Sequence, residues 1–279
     1  MAERFIRVQD LNPQHSKGQR LSVVSNLCPA AEAIPDGFAA FLPDAVAPRG
    51  EWRAPTPGEL SSLLSDSKPD GDTDIQVVAL PGLANVLGHH LGCREDLVLL
   101  QKAVRDVKFV KALENCIDEL IPFCTRPEGL AFQGACVSPG GMRMITRNMD
   151  LVPPLRIGFH VDNWDDLPLP ARAGSRRRLC VNLGLGPRYL LFLRTPLSSL
   201  VAAGKLPAKI PQNVSPACLI RAYLRSHLEQ FAVRICIDPG EAYVVNAEDV
   251  IHDGASDPGG MPDVALHFLG YFGPDDSSP

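Results

Sequence analysis

The 279-residue sequence has no run approaching the roughly eighteen apolar residues that a membrane span requires, so no spanning helix is expected. Its eight cysteines include no Cys-x-x-Cys pair, which excludes a zinc ribbon or a thioredoxin-type motif. There is no excess of positive charge. Lys and Arg number 27 against 32 Asp and Glu, a formal net charge of −5 that gives no reason to expect nucleic acid or an anionic membrane as partner. The segment Met1-Ala-Glu-Arg-Phe-Ile-Arg7 lacks a long apolar stretch, so a secretory signal is not expected. Cys180 in Leu-Cys-Val and Cys236 in Ile-Cys-Ile read as small buried hydrophobes. A reduced, cytoplasmic setting is the expectation.

A hydrophobic content of 45% is ample for a core, and the length suits one large domain or two small ones. In the first part, Arg4–Val8 and Leu21–Ser25 read as short strands, residues 29–69 as irregular, residues 65–74 as a polar loop and Ile75–Leu80 as a buried strand. Adjacent His89 and His90 project about 100° apart on a helix and do not converge on one metal. Between Glu95 and Phe123, apolar residues Leu97, Leu100, Val104, Val107, Val110, Leu113 and Ile117 recur at three and four, predicting a helix with a break near Lys108.

From Leu130 the pattern turns to β. Strands are expected at 131–137, 142–147, 155–161, 178–184, 188–193, 232–237, 243–245 and 264–272. One helix interrupts them at about 215–230, with Ser215 as N-cap and Pro216 at the first position. Helices and strands do not alternate, which argues against a parallel α/β fold. Eight strands in two facing sheets is the jelly-roll count. The expected organisation is a mainly β (α+β) chain. Residues 1–129 form an irregular and helical buttress, 130–273 a core, and 274–279 a tail.

The chain is organised around Leu155-Arg-Ile-Gly-Phe-His160-Val-Asp162-Asn-Trp164, answered by Pro239-Gly-Glu-Ala-Tyr243 through His252-Asp-Gly254. On an extended chain, residues two apart project to one side, so His160 and Asp162 can share a cavity while Val161 packs elsewhere. His252 on a second strand completes two imidazoles and one carboxylate on one face of a metal. That is the donor set of non-haem Fe(II) oxygenases.

This order resembles the double-stranded β-helix (jelly-roll, cupin-like) Fe(II)/2-oxoglutarate dioxygenases, over about residues 140–273. The resemblance implies His160, Asp162 and His252 as ligands, with 2-oxoglutarate and O2 at the positions left open. His267 is the competing third ligand, but it lies too far after Pro239-Gly240 for the family pattern and is expected at most to bind substrate. Halogenating relatives lack the carboxylate, so Asp162 implies hydroxylation, desaturation or cyclisation.

Most relatives also carry an Arg some ten to fourteen residues after the distal His, which grips 2-oxoglutarate. This chain has no Arg or Lys after His252. Some relatives place a Lys on the fourth core strand. The matching candidate is Arg188, with Arg178 second, and Asn182 or Tyr189 assisting. Trp164, Arg143 and Arg147 are candidates for substrate contact. The resembled group acts on small molecules such as free or carrier-bound amino acids and natural-product intermediates. The alternatives are a cupin-like metal-dependent oxygenase that uses no 2-oxo acid, or a non-catalytic jelly-roll binding protein.

Overall fold

A computed structural model describes residues 5–12, 18–33, 40–65, 75–92 and 95–273. Most of the expected polar loop at 65–74, and the tail at 274–279, lie outside the described residues. Ten strands form two sheets. They are β1 (Val8–Asp10), β2 (Leu21–Val24), β3 (Ile75–Ala79), β4 (Cys124–Ser138), β5 (Arg177–Asn182), β6 (Arg188–Leu193), β7 (Ala232–Ile237), β8 (Glu241–Val245), β9 (His252–Ala255) and β10 (Asp263–Phe272). The six-stranded sheet has the order β1-β3-β8-β5-β10-β4 and the four-stranded sheet β9-β6-β7-β2. Only β1 and β3 pair in parallel; every other neighbour in the two sheets is antiparallel. The chain is thus mixed α/β, with large antiparallel sheets, and the first 129 residues contribute β1 to β3 as well as helices.

Side-chain alternation builds three layers. In β6, Leu190 and Phe192 point between the sheets, where they meet Cys180, Tyr243, Val245 and Ala265 of the larger sheet. Leu191 and Leu193 point the other way, onto a cluster containing Leu197, Leu200, Ile220 and Leu224. With both faces covered, the strand reads as one apolar run. The outer face of the larger sheet, through Leu179, Val181, Val244, Leu266 and Phe268, packs under the helices Pro81–Leu91, Leu97–Ala103 and Val107–Cys116.

Several boundaries differ from expectation for local reasons. The stretch from Glu95 to Phe123 is two helices and a 3-10 segment. It breaks because Asp106 caps the second helix, accepting from Lys108 N at 2.8 Å, as Asp96 caps the first. The helix after Ser215 ends at Arg225, where His227 Nδ1 donates to Tyr223 O at 2.9 Å. The helix Leu197–Ala202 has no counterpart in the sequence reading.

Residues 142–146 are not a strand of either sheet. They run beside β9, but side chains take part of the bonding: Thr146 N donates to Asp253 Oδ1 and Met142 N to Ser256 Oγ. The expected strand 155–161 is cut at Gly158, whose φ is +68°, and only Leu155–Arg156 pairs regularly. A Cβ at Gly158 would stand 2.6 Å from Val46 O, so this position requires glycine.

A buried ion cluster ties the sheets together at the β1 edge. Arg20, just before β2, pairs with Asp10 of β1 at 2.6 Å and forks onto both carboxylate oxygens of Glu241 in β8, at 2.7 and 3.0 Å. Burial works against the charge on Glu241, but Arg20, Asp238 N and Asn12 hold its carboxyl below the usual range. Breaking such a pair from one side orphans a buried charge and costs about 3–5 kcal/mol. Glu241→Ala is expected to lower unfolding stability by that amount in urea titration. A loss near zero would show that the cluster does not join the sheets.

Candidate metal centre

Two backbone hydrogen bonds create the site. His160 N donates to His252 O at 3.1 Å, and His252 N donates to His160 O at 2.8 Å. The two histidines therefore face each other as an isolated antiparallel bridge. Residues that exchange both bonds present their side chains on the same side. The two imidazole centroids lie 4.7 Å apart, tilted by 43°. His252 pairs across the sheet with Phe192, and so opens toward the space between the sheets.

Each ring is held by its own loop. His160 Nδ1 donates to Gly158 O at 2.9 Å, and His252 Nδ1 to Val250 O at 2.8 Å. A carbonyl only accepts, so the proton sits on Nδ1 and each Nε2 presents a lone pair. His252 Nε2 is buried with no hydrogen-bond partner. Burial lowers the pKa of His160, and burial, His160 and Arg178 push that of His252 well below the ordinary value. Both rings are thus neutral near pH 7, as metal ligation requires.

Asp162 supplies the carboxylate. Its Oδ1 lies 3.6 Å from His160 Nε2, while Oδ2 accepts from Trp164 Nε1 at 3.0 Å and is in ion-pair contact with Arg178. The ligand atoms of His160, Asp162 and His252 all lie within 4.8 Å of one another. Two neutral nitrogens and one carboxylate, with one nitrogen orphaned and buried, fit a divalent transition metal.

A network that the sequence reading missed fixes the Asp162 loop. Arg172, 1% exposed, donates to Asp162 O at 2.7 Å, to Leu167 O at 3.2 Å and to Asn163 Oδ1. Glu248 lies 3.7 Å from Arg172 and accepts from Asp165 N at 2.5 Å. Asn246 Nδ2 donates to Arg172 O and Ala173 O, both at 3.0 Å. Asp162 N donates to Ala247 O at 2.8 Å. The loops on either side of the histidine pair therefore lock to each other. The polar run Asn246-Ala-Glu248-Asp249, set between apolar residues, was the available signal.

The other expected residues divide by strand face. Arg178 on β5 pairs with Val245 and Leu269, and points between the sheets beside Asp162. Arg188 on β6 shares the face of Leu190 and Phe192 and is 2% exposed. Its Nη1 stands 3.6 Å from Asp263, and its Nε and Nη1 have no hydrogen-bond partner. His267 lies on the same interior face, paired with Cys180; burial, Arg178 and Arg188 hold its pKa well down.

Five other candidates are engaged elsewhere or exposed. Tyr189 points to the opposite face from Arg188 and lies under Arg234, because neighbours on a strand alternate. Asn182 is engaged with backbone, donating to Ile237 O and Gly186 O and accepting from Gly184 N. Arg143 is exposed and donates to Ala33 O, and Arg147 is exposed at the two-residue pairing with Arg156. Trp164 is beside the centre, but the residue is 51% exposed and its bond is to Asp162.

No protein-family model matches the chain, and no curated protein matches it. Solved structures similar to it include that of the Kdo hydroxylase KdoO, described as a non-heme Fe(II) alphaketoglutarate dependent dioxygenase, in complex with alphaketoglutarate and Fe(III), and that of its apo form. Each is 15% identical, over 70% of this chain and 79% of that one, with TM-scores of 0.35 and 0.36. Likeness at that level carries no weight for the reading below.

Three interior imidazoles with depressed pKa make stability depend on pH. Above the ordinary value of about 6.5, folded and unfolded chains both hold them neutral. As pH falls below it, the unfolded chain takes up protons first, so stability drops toward acid. With metal chelated, urea midpoints are expected to fall from about pH 7 to about pH 5.5, and less steeply in His267→Asn. Midpoints that stay level or rise would contradict neutral interior histidines.

Proposed function

We propose that this chain is a non-haem Fe(II)- and 2-oxoglutarate-dependent oxygenase that hydroxylates a C–H bond of a small molecule, such as an amino acid or a natural-product intermediate. The observation that carries the reading is the convergence of His160 Nε2, His252 Nε2 and the Asp162 carboxylate at one end of the space between two antiparallel sheets. On this reading the facing sheets are a double-stranded β-helix, with residues 130–273 as its core and the preceding region as its buttress. Fe(II) bound at these three groups supplies oxidation of the C–H bond by O2, coupled to conversion of 2-oxoglutarate to succinate and CO2.

The chain's own residues divide the remaining work. The Nδ1 bonds to Gly158 O and Val250 O fix the tautomer and aim of each ring. Trp164 and Arg172 fix Asp162 from its side chain and its backbone. Arg188 is the candidate anchor for the far carboxylate of 2-oxoglutarate. It is buried on the interior face with donors unused, and Gly254, on the same face as His252, lets Ile145 and the guanidinium pack close against β9. A Cβ at Gly254 would stand 2.7 Å from Ile145 Cδ1 and 3.4 Å from Arg188 Nη2.

One observation favours a second reading, a metal-dependent oxygenase that uses no 2-oxo acid: Asp263 already faces Arg188 at 3.6 Å. Assay for succinate formation with Fe(II) and candidate acids separates the two.

His252→Ala and Asp162→Ala are expected to lose Co(II) binding in calorimetry while keeping native circular dichroism. Arg188→Gln is expected to keep Co(II) binding and to weaken 2-oxoglutarate binding by about 10–100-fold, the loss of a charge-assisted contact. Full metal binding in either ligand variant would misplace the centre. An unchanged 2-oxoglutarate titration would remove Arg188 from its role.

A further inference from the structure

The four-stranded sheet has a second face, turned away from the histidine pair. Tyr189 pairs with Ala255 across β6 and β9, and Leu191 pairs with Arg234 across β6 and β7. These four side chains share the outer face, because strand neighbours alternate and Arg188 and Leu190 point inward. A cavity of about 280 Å³ lies on that face. Tyr189, Arg234 and Ala255 form its floor, and Trp52, Met142 and Met144 are among its walls.

Arg234 is held as a receptor would be. Its guanidinium lies 4.9 Å from the Trp52 ring centroid and 4.6 Å from that of Tyr189. Rings over a guanidinium engage its faces and leave the N–H edge free. Nε donates to Ser22 Oγ at 2.9 Å, which fixes the direction of the group. The terminal nitrogens have no hydrogen-bond partner among the described residues, and neither is shut off from solvent. Burial works against the charge, and no carboxylate supports it.

The surroundings are cationic without a counter-ion. Arg143, also lining the cavity, donates to Ala33 O at 2.8 Å. Arg156, 3% exposed, directs Nη2 at the sulfur of Met142 at 2.9 Å. Among the described residues, none of these three arginines has a carboxylate within ion-pair distance. The neighbouring acids are spent elsewhere. Asp253 accepts from Thr146 N and Oγ1 and from Gly254 N, and Asp257 from Gly259 N and Met261 N.

We propose that this cavity is a second ligand site, which takes a small organic acid with a flat apolar body, its carboxylate on the free edge of Arg234. A planar carboxylate matches a guanidinium fork with two parallel hydrogen bonds. The indole, phenol and two thioethers suit an aromatic or similarly flat remainder. Arg143 and Arg156 add positive potential without occupying the floor. The site shares β6 and β9 with the metal centre but lies on their opposite face, so it stands whether or not a metal binds there.

The test uses the full chain with metal chelated, methyl-labelled at its five methionines, and benzoate as the probe. Saturable shifts of the Met142 and Met144 methyl signals are expected, with those of Met149 and Met261 unmoved. Benzamide, the same shape without the charge, is expected to bind more weakly by on the order of tenfold or more. Arg234→Gln is expected to lose the same factor for benzoate, with native circular dichroism, and Arg188→Gln to lose none. The benzamide comparison needs no variant, so it holds if Arg234→Gln does not fold.

No shift at Met142 or Met144 with benzoate would overturn the proposal. Equal binding of benzamide would remove Arg234 as an anion receptor. Loss of the shifts in Arg188→Gln with retention in Arg234→Gln would place the acid between the sheets instead. Inorganic phosphate that displaces benzoate at equal concentration would overturn the assignment to an organic acid.

Discussion

The reciprocal backbone bond between His160 and His252 is the constraint on which the site depends. It joins positions 92 residues apart in the chain, and it does so at one point without a regular strand on the His160 side. Each amide is answered by the other residue's carbonyl, so register is fixed to the residue. A shift of one would turn an imidazole away from the interior. The carbonyls of Gly158 and Val250 then orient the rings, and burial keeps them neutral. Backbone geometry, ring orientation and protonation state thus follow in sequence from one pairing.

Charge is the second constraint. The interior is not a plain apolar core: it carries Arg178, Arg188, His267 and Asp263 beside the histidine pair. Burying charges is costly unless they are paired, and here arginines and carboxylates are matched singly. Asp162 turns Oδ1 toward His160 while Trp164 and Arg178 hold Oδ2. The Arg172–Glu248–Asn246 network fixes the backbone of the Asp162 loop.

Much of this was legible in the sequence where a residue's role depended on spacing alone. His160 and Asp162 two apart, His252 after the Pro239-Gly240 turn, and the alternation of Arg188-Tyr-Leu-Leu-Phe-Leu all carried their geometry with them. What was hidden depended on long-range partners. Gly158 breaks a stretch that reads as continuous strand because Val46 O lies against it. Residues 142–146 look β-like, yet Asp253 and Ser256 supply bonds that a neighbouring strand would otherwise make. Tyr189 and Arg188 were grouped by proximity in sequence, although strand alternation sends them to opposite faces. Arg172 carried no local signal, since its partners lie in the loop it closes and in residues 246–248.

The most direct test of the central claim is anaerobic titration of the metal-free protein with Fe(II) and then 2-oxoglutarate, watched in the visible spectrum. The account predicts a metal-to-ligand charge-transfer band that needs both additions and is absent in His252→Ala. Fe(II) binding without the band would contradict chelation of 2-oxoglutarate at this centre. A band that persists in His252→Ala would contradict the pairing of His160 with His252 as the source of the site.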